Sequence, residues 1–411
     1  MKIYVTTDGC EVGQLYSKYV NQFFLKSNSE IINTSDATKA DLLIFYACGL
    51  TEKQEEKSIR LIAALKSKMK PSARFVVWGC LSKQNPESLK KNFDGPLIGP
   101  SDMYAFEEIL KQALNVTKCS STLEIPDANL PITEKLDSGT SPNKLSYLRY
   151  VLSRAIFFNS QTPTFYVRVA EGCTAHCTYC SEHLVWGKVK SKPIEKVISE
   201  FKDGLQKGYR LFELCAEDFG AYGVDIGLNA CDLLKRLIDL SDDANYRIII
   251  CELSPGYLKN MFANFDKIFA SEKISRLGVQ VESGSNRILK LMGRQYKAAE
   301  WRNMMLYINR KYPRINLATH FMVGFPTETE EDFKATMRLL NFPLFLKNVT
   351  IYKFSANPHV PAAKLSGQIP KRVIEMRAEK LQRKFLSSYP LNMTIRYSYL
   401  LAKNHHEYPS I

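Results

Sequence analysis

Residues 171–180 read Glu-Gly-Cys-Thr-Ala-His-Cys-Thr-Tyr-Cys and follow directly on FYVRVA (165–170), a run with strand-like alternation. Three cysteines, Cys173, Cys177 and Cys180, thus stand in a CxxxCxxC loop at the end of a strand, with a glycine before the first. Soft thiolates suit iron–sulfur clusters, and a 4Fe-4S cube normally takes four of them. Three from one loop leave one iron open, and an open iron can hold the amino and carboxylate groups of S-adenosylmethionine (SAM). A zinc loop short of one ligand and a set of buried thiols are the alternatives. His176 is a poor fourth zinc ligand, since it lies inside the loop between two of the cysteines.

Strand and helix signals alternate on both sides of this loop. Downstream, RLFELCAE (210–217), YRIIICEL (246–253), ISRLGVQVE (274–282), INLATHFMVGF (315–325) and NVTIYKFS (348–355) join FYVRVAEG as six strand candidates with helical stretches between them. That pattern predicts an open parallel α/β barrel. Upstream, KIYVTT, LLIFYAC (42–48) and RFVVWGC (74–80) read as strands. Helices are expected over 11–25, over 51–69, and from Pro100-Ser101-Asp102 to about Leu114. The fold class is therefore α/β, with an N-terminal open parallel-sheet domain (1–116) and a partial (β/α)6 barrel (164–370). Between them, 117–163 is rich in Pro, Ser, Asp and Gly and reads as a linker, with LSYLRYVLSRAIFF as a short apolar helix in its second half. The end of the chain, 371–411, reads as a basic helix and a short strand-like tail.

The upstream strands carry a second, dispersed set of cysteines. Cys10 follows Asp8-Gly9, Cys48 precedes Gly49, and Cys80 follows Gly79. Each lies at the C-terminal end of an expected parallel strand, and those ends share the edge of an open α/β sheet where ligands bind. Singly, each would be read as a small buried hydrophobe. Together they make a second three-thiolate site. The remaining cysteines, Cys119, Cys215, Cys231 and Cys251, lack the pattern and read as core thiols.

Composition bounds the rest. The chain has 411 residues, 45% hydrophobic and 24% charged, which excludes wholesale disorder and fibrous repeats. Ten cysteines with no signal-peptide pattern fit metal or catalytic roles better than disulfides, and a cytoplasmic protein is expected. No apolar run is long enough to cross a bilayer. A net charge of +14 favours anionic partners such as RNA without fixing a site.

Over residues 2–383 the chain resembles the radical-SAM methylthiotransferases, the MiaB-like and RimO-like enzymes. The resemblance rests on the glycine-flanked Cys10, Cys48 and Cys80, the CxxxCxxC loop, EDFGAYGVD (217–225), QVESGSNRILKLMGR (280–294), GFPTETEEDF (324–333) and AAKLSGQIP (362–370). It implies that Cys173, Cys177 and Cys180 hold the radical-SAM 4Fe-4S cluster. Cys10, Cys48 and Cys80 would hold an auxiliary 4Fe-4S cluster that carries sulfur. One SAM methylates that sulfur; a second, cleaved at the first cluster, abstracts hydrogen from an unactivated C–H, which then takes the methylthio group. An electron donor of flavodoxin or ferredoxin type is implied, and a monomer is expected. For SAM itself the resemblance points to Tyr179 beside the adenine and to Glu213 and Glu217 for the amino group or ribose. It also points to Gln280, Glu282 and Ser283 on an inward-facing strand, Arg294 for the carboxylate, and Gly324 and Phe325 at the adenine-contacting strand end.

The chain departs from the family pattern in four places. Gly13 stands where many members have asparagine. After the cysteine loop His183, Trp186-Gly187 and Lys192 replace the usual Pro, Arg-Gly and Arg. His320 occupies a position that is acidic in tRNA-acting members. The stretch after Arg377 is too short for the C-terminal TRAM barrel, although the basic helix over 371–384 offers a charged surface of its own. On these grounds the expected substrate is a peptide or protein side chain, or a natural-product precursor, with a tRNA adenosine as the alternative. Sulfur insertion or other C–H functionalisation without methyl transfer, and a non-catalytic iron–sulfur or RNA-binding protein, are the remaining readings.

Overall fold

The computed structural model describes residues 1–9, 11–27, 30–102, 104–114, 163–240, 245–341 and 343–402. The linker expected over 117–163, apart from Pro163, together with the apolar helix within it, Cys10 and Cys119, lies outside the described residues. The described chain forms two compact units. One contains the N-terminal residues together with Ala170–Lys190 and Ser355–Lys364; the other contains Ser191–Phe354, the strand before Ala170, and the chain from Leu365 onward.

The first unit is built on five parallel strands, β1 (Lys2–Thr7), β2 (Ile32–Asn33), β3 (Leu42–Tyr46), β4 (Arg74–Trp78) and β5 (Leu97–Ile98), in the order β2-β1-β3-β4-β5. Every residue of β3 is buried, as expected of a central strand covered on both faces. On one face Tyr16, Val20 and Phe24 of helix Glu11–Ser27 pack with Trp78 and Phe106; on the other Ile62 packs with Phe45, Phe75 and Val77. Helix Glu52–Lys68 is capped by Thr51, whose hydroxyl accepts from the Gln54 N–H at 3.2 Å. Acidic residues occupy its first turn and lysines its last, which matches the helix dipole. The strand order reverses between β1 and β3, so the crevice of this sheet opens beside the C-terminal ends of those two strands.

The second unit is a six-stranded sheet whose spatial order follows the sequence: β6 (Thr164–Arg168), β7 (Leu211–Cys215), β8 (Arg247–Leu253), β9 (Ile274–Val279), β10 (Asn316–Val323) and β11 (Asn348–Lys353). Every neighbouring pair is parallel. Sequential order with helical crossovers of one hand puts the helices on one face and curls the sheet into an open barrel. In β10, Leu317, Thr319, Phe321 and Val323 are buried, alternating with Asn316, Ala318, His320 and Met322 on the opposite face.

All six barrel strands and the three main N-terminal strands lie where the sequence pattern puts them. The tail does not. The stretch read as strand-like continues as helix, and one helix runs over Lys371–Ala402 with Pro390 inside it. Its first half is not purely a charged surface: Ile374, Arg377, Ala378, Leu381 and Phe385 are buried. Arg377 donates to Glu328 Oε2 at 2.8 Å and to the Glu328 carbonyl at 3.0 Å, both inside the protein. Removing one partner leaves an uncompensated buried charge. Arg377→Ala is therefore expected to lower the unfolding free energy by about 3–5 kcal/mol, read from urea denaturation.

Candidate functional site

In the first unit the cysteine-bearing edge is set by strand register. Tyr46 of β3 pairs with Trp78 of β4, so Cys48 and Cys80, each two residues further on, leave the sheet side by side. The pairing continues past the strands: the Ala47 N–H donates to the Trp78 carbonyl at 2.6 Å, and the Leu81 N–H to the Ala47 carbonyl at 3.1 Å. Gly79 is in the left-handed region at φ +116°, and a Cβ there would stand 2.8 Å from the Ala47 carbonyl oxygen, so only glycine fits before Cys80. Behind Cys48, the Ser58 hydroxyl donates to the buried Asp8 carboxyl at 2.9 Å and accepts the Cys48 N–H at 3.1 Å. Burial pushes the Asp8 pKa up. Cys10 would complete this set from the end of β1, whose Thr7 pairs with Tyr46; it lies outside the described residues.

The CxxxCxxC loop belongs to the same unit. Gly172 has φ +76° with no room for a side chain against Lys188. The Cys180 N–H donates to the Cys177 carbonyl at 3.2 Å, closing the tight end of the loop. Two of the sulfurs accept backbone donors: Cys173 Sγ from the Ala175 N–H at 3.3 Å and Cys180 Sγ from the Glu182 N–H at 3.4 Å. Burial, and then the charges of Glu182, Cys177 and Cys173, push the Cys180 thiol far up. Three soft sulfurs from one short loop, two of them already accepting backbone N–H donors, make a donor set that a bound cation would convert to thiolates, so the residues present fit an iron–sulfur cluster. Among the described residues no three His, Cys, Asp or Glu converge closely enough for a single metal ion. A cube of four irons spans more space than one ion.

The two cysteine-bearing segments are tied together inside this unit. Gln84, fully buried, ends the short helix Leu81–Gln84 that starts at Cys80. Its Nε2 donates to Ser181 Oγ at 2.8 Å, one residue past Cys180, and its Oε1 stands against Gly49, one residue past Cys48. The helix that follows the loop, Glu182–Trp186, places Val185 and Trp186 in the N-terminal core. The Trp186 ring lies 5.3 Å from that of Tyr16, and the Tyr16 hydroxyl bonds Glu171. The tryptophan at this departure from the family pattern thus serves packing. Tyr179 and His183 are half-buried, His176 is exposed, and the Thr178 carbonyl accepts from the Ala362 N–H at 2.8 Å.

In the second unit the C-terminal strand ends carry a polar cluster. Arg168 of β6, fully buried, pairs with Glu217. Asp218 caps two segments, accepting from the Gly220 N–H at 3.0 Å and the Ser254 N–H at 3.1 Å, and burial raises its pKa. Glu282 has φ +63° and sits between β9 and β10. Its N–H donates to the His320 carbonyl at 3.0 Å, and its carboxylate takes Arg294 Nη2 at 2.8 Å. A non-glycine residue held in that region is strained, and such strain concentrates at functional sites. Glu252, at the end of β8, keeps 39% of its side chain exposed. Burial, Glu282 and Asp218 push its pKa to about 8. His320 Nε2 stands 3.8 Å from Glu252, with the Tyr352 ring edge-on at 5.1 Å, and burial holds the imidazole pKa below its usual value.

The other expected SAM contacts are divided. Desolvation, and then the nearby Glu213, raise the thiol of the half-buried Cys251. The Gln280 side chain bonds the Cys251 carbonyl. Ser283 turns to Thr336 of helix Glu330–Leu339 at 3.3 Å, and Phe325 is buried against Phe354. Gly324, at φ +80°, donates its N–H to Glu328. Cys215 and Cys231 are buried, in keeping with core thiols, whereas Cys251, expected to be one too, is only half-buried. The reading by sequence missed Tyr46, Gln84, Arg168 and Glu252. Arg168 and Glu252 carried a signal, a charge inside or at the end of an apolar strand; Gln84 carried none.

The Radical SAM superfamily model matches residues 167–340, and the model described as uncharacterized protein family UPF0004 matches residues 2–98. A threonylcarbamoyladenosine tRNA methylthiotransferase MtaB from Aquifex aeolicus is 29% identical, covering 93% of this chain and 87% of its own. A probable threonylcarbamoyladenosine tRNA methylthiotransferase from Pyrococcus horikoshii is 27% identical over 95% of this chain and 86% of its own. A ribosomal protein uS12 methylthiotransferase RimO from Clostridium botulinum is 28% identical over 92% and 80%. Among solved structures, the radical SAM methyltransferase TsrM from Kitasatospora setae superposes with a TM-score of 0.58 at 12% identity, covering 88% of this chain and 76% of that one. This supports the α/β fold with its parallel barrel sheet. Two adjacent family models in the expected order, with relatives that align along nearly the whole chain, identify it: the chain belongs to the radical-SAM methylthiotransferase family, whose enzymes use two 4Fe-4S clusters and SAM to insert sulfur.

Proposed function

We propose that this enzyme inserts a methylthio group at an unactivated C–H, with Cys173, Cys177 and Cys180 holding one 4Fe-4S cluster and Cys10, Cys48 and Cys80 the other. The observation that carries the reading is the tie through Gln84: one buried amide touches the segments that follow Cys48, Cys80 and Cys180. Such a tie holds two thiolate sets at a fixed spacing, which a reaction needing both requires. When bound, the clusters and SAM supply the electron, the hydrogen-atom acceptor, and the sulfur and methyl groups. The chain's own residues bind and orient. Residues 1–116 serve the auxiliary site and 164–370 the radical-SAM core, with 117–163 read as the linker between them and the helix Lys371–Ala402 following the core. For SAM, we assign Glu213, Glu217, Gln280, Glu282 and Arg294 of the second unit to its charged end and Gly324 and Phe325 to the adenine, with Ser283 supporting the strand turn; Tyr179 keeps the adenine role that the family resemblance implies.

For the substrate, the reading is a peptide or protein side chain, or a natural-product precursor. Its support is the pairing of His320 and Glu252, which near neutral pH are an uncharged imidazole and a protonated carboxyl, a donor–acceptor pair suited to a small polar group. The second reading, a tRNA adenosine, is favoured by the +14 charge and by relatives named for tRNA. Expression in a host without its own methylthiotransferases separates the two. Methylthio groups in digested protein or small-molecule extracts support the first, and methylthiolated nucleosides in digested tRNA replace it with the second.

Cluster assignment is tested by anaerobic reconstitution. Wild type is expected to bind about eight irons and each triple Cys→Ala variant about four. SAM cleavage should disappear only without Cys173, Cys177 and Cys180. About four irons in wild type, unchanged on removal of Cys10, Cys48 and Cys80, is the result that defeats the two-cluster reading.

Glu252 gives a pH signature. Its folded pKa of about 8 lies above the ordinary 4.5, so the folded state holds a proton that the unfolded state has released. Its contribution to stability is fully present below about pH 4.5, falls as pH rises to about 8, and is level above that. Glu252→Gln removes this component. Wild-type minus variant stability, from denaturant titrations at several pH values, is expected to decline across that window.

A further inference from the structure

The buried phenol of Tyr46 has no part in the reading above, and its hydroxyl stands 3.1 Å from Cys80 Sγ. Three glycines form its seat. A Cβ at Gly13 would lie 2.8 Å from the ring, one at Gly79 3.1 Å, and one at Gly9 3.3 Å. Trp78 closes the seat edge-on, with ring centroids 4.9 Å apart, and Tyr46 is 1% exposed. The ring therefore has one position, and that position aims its hydroxyl at the sulfur. A cysteine that ligates iron is deprotonated, so the phenol is then the donor and the sulfur the acceptor.

We infer that Tyr46 is a positioning residue for the auxiliary site: by donating a hydrogen bond to Cys80 Sγ it raises the reduction potential of the cluster that Cys80 helps to hold. The inference rests on the reading of Cys80 as a ligand. Hydrogen bonds to the sulfurs and shielding from water are among the factors that set iron–sulfur potentials. Reduction adds one electron and negative charge to the cluster and its thiolates. A donor fixed on one sulfur stabilises the reduced form more than the oxidised form, without transfer of the proton. Burial strengthens the effect, since no water competes for the sulfur on that side.

The test uses the full chain carrying Cys173→Ala, Cys177→Ala and Cys180→Ala, so that one cluster remains. It is reconstituted with and without Tyr46→Phe, which keeps the ring and removes only the hydroxyl. Dithionite supplies the electron in a potentiometric titration followed by electron paramagnetic resonance. The iron content is expected to be equal in the two proteins. The reduced-to-oxidised ratio at a given potential should fall about tenfold in the phenylalanine variant, a midpoint about 59 mV lower. An exchangeable proton coupled to the reduced cluster in electron–nuclear double resonance is expected with Tyr46 and absent with phenylalanine. Coincident titrations, a proton signal that persists in the variant, or loss of iron on Tyr46→Phe would each overturn the inference. Adding Cys80→Ala to the same background separates the two failures. Iron retained without Cys80 would show that the ligand reading is wrong, and the inference falls with it; iron lost, with unchanged potentials for Tyr46→Phe, would defeat the inference alone.

Discussion

The pairing of Tyr46 with Trp78 is the constraint on which the cysteine-bearing edge depends. In a parallel pair all C-terminal ends face one way, and the register decides which residues leave the sheet together. A slip of one residue would turn every side chain to the other face. Both faces here are packed, with Tyr46 and Trp78 in one core and Phe45 and Val77 in the other, so a slip would exchange two differently shaped cores. Cys48 and Cys80 stand side by side because aromatic packing two residues earlier allows one register.

Much of this was legible in the sequence. Apolar runs of strand length marked the central strands, and cysteine next to glycine marked their ends. The short strands Ile32–Asn33 and Leu97–Ile98 left no signal, because two residues are too few to show a period. The terminal helix was drawn too short. RYSYLLA has aromatic and apolar residues of strand type, yet it continues a helix already started by Lys371–Phe385, and elongation costs less than nucleation.

The candidate site was legible in its ligand candidates and obscure in its supports. A spacing such as CxxxCxxC is local, and local spacing is what a sequence displays. Gln84 reaches Ser181 across 97 residues, and nothing near position 84 announces the contact. The compact unit that joins the CxxxCxxC loop to the N-terminal sheet has the same origin: Val185 and Trp186 fill a core whose other members come from the first 106 residues. Arg377 is the converse case. It reads as one charge in a basic helix and is instead buried against Glu328.

Gly13 shows how such supports are held. A glycine inside a helix costs about 1 kcal/mol relative to alanine, and Gly13 lies in the first turn of helix Glu11–Ser27. Nothing in the backbone there requires it, since its φ is not in the left-handed region. What requires it is Tyr46, whose ring occupies the space an alanine methyl would take. The helix gives up some stability so that a ring on the neighbouring strand can sit deep enough for its hydroxyl to reach Cys80. A departure that looks like a lost polar residue in the sequence is, in the fold, room made for another polar atom against the sulfur.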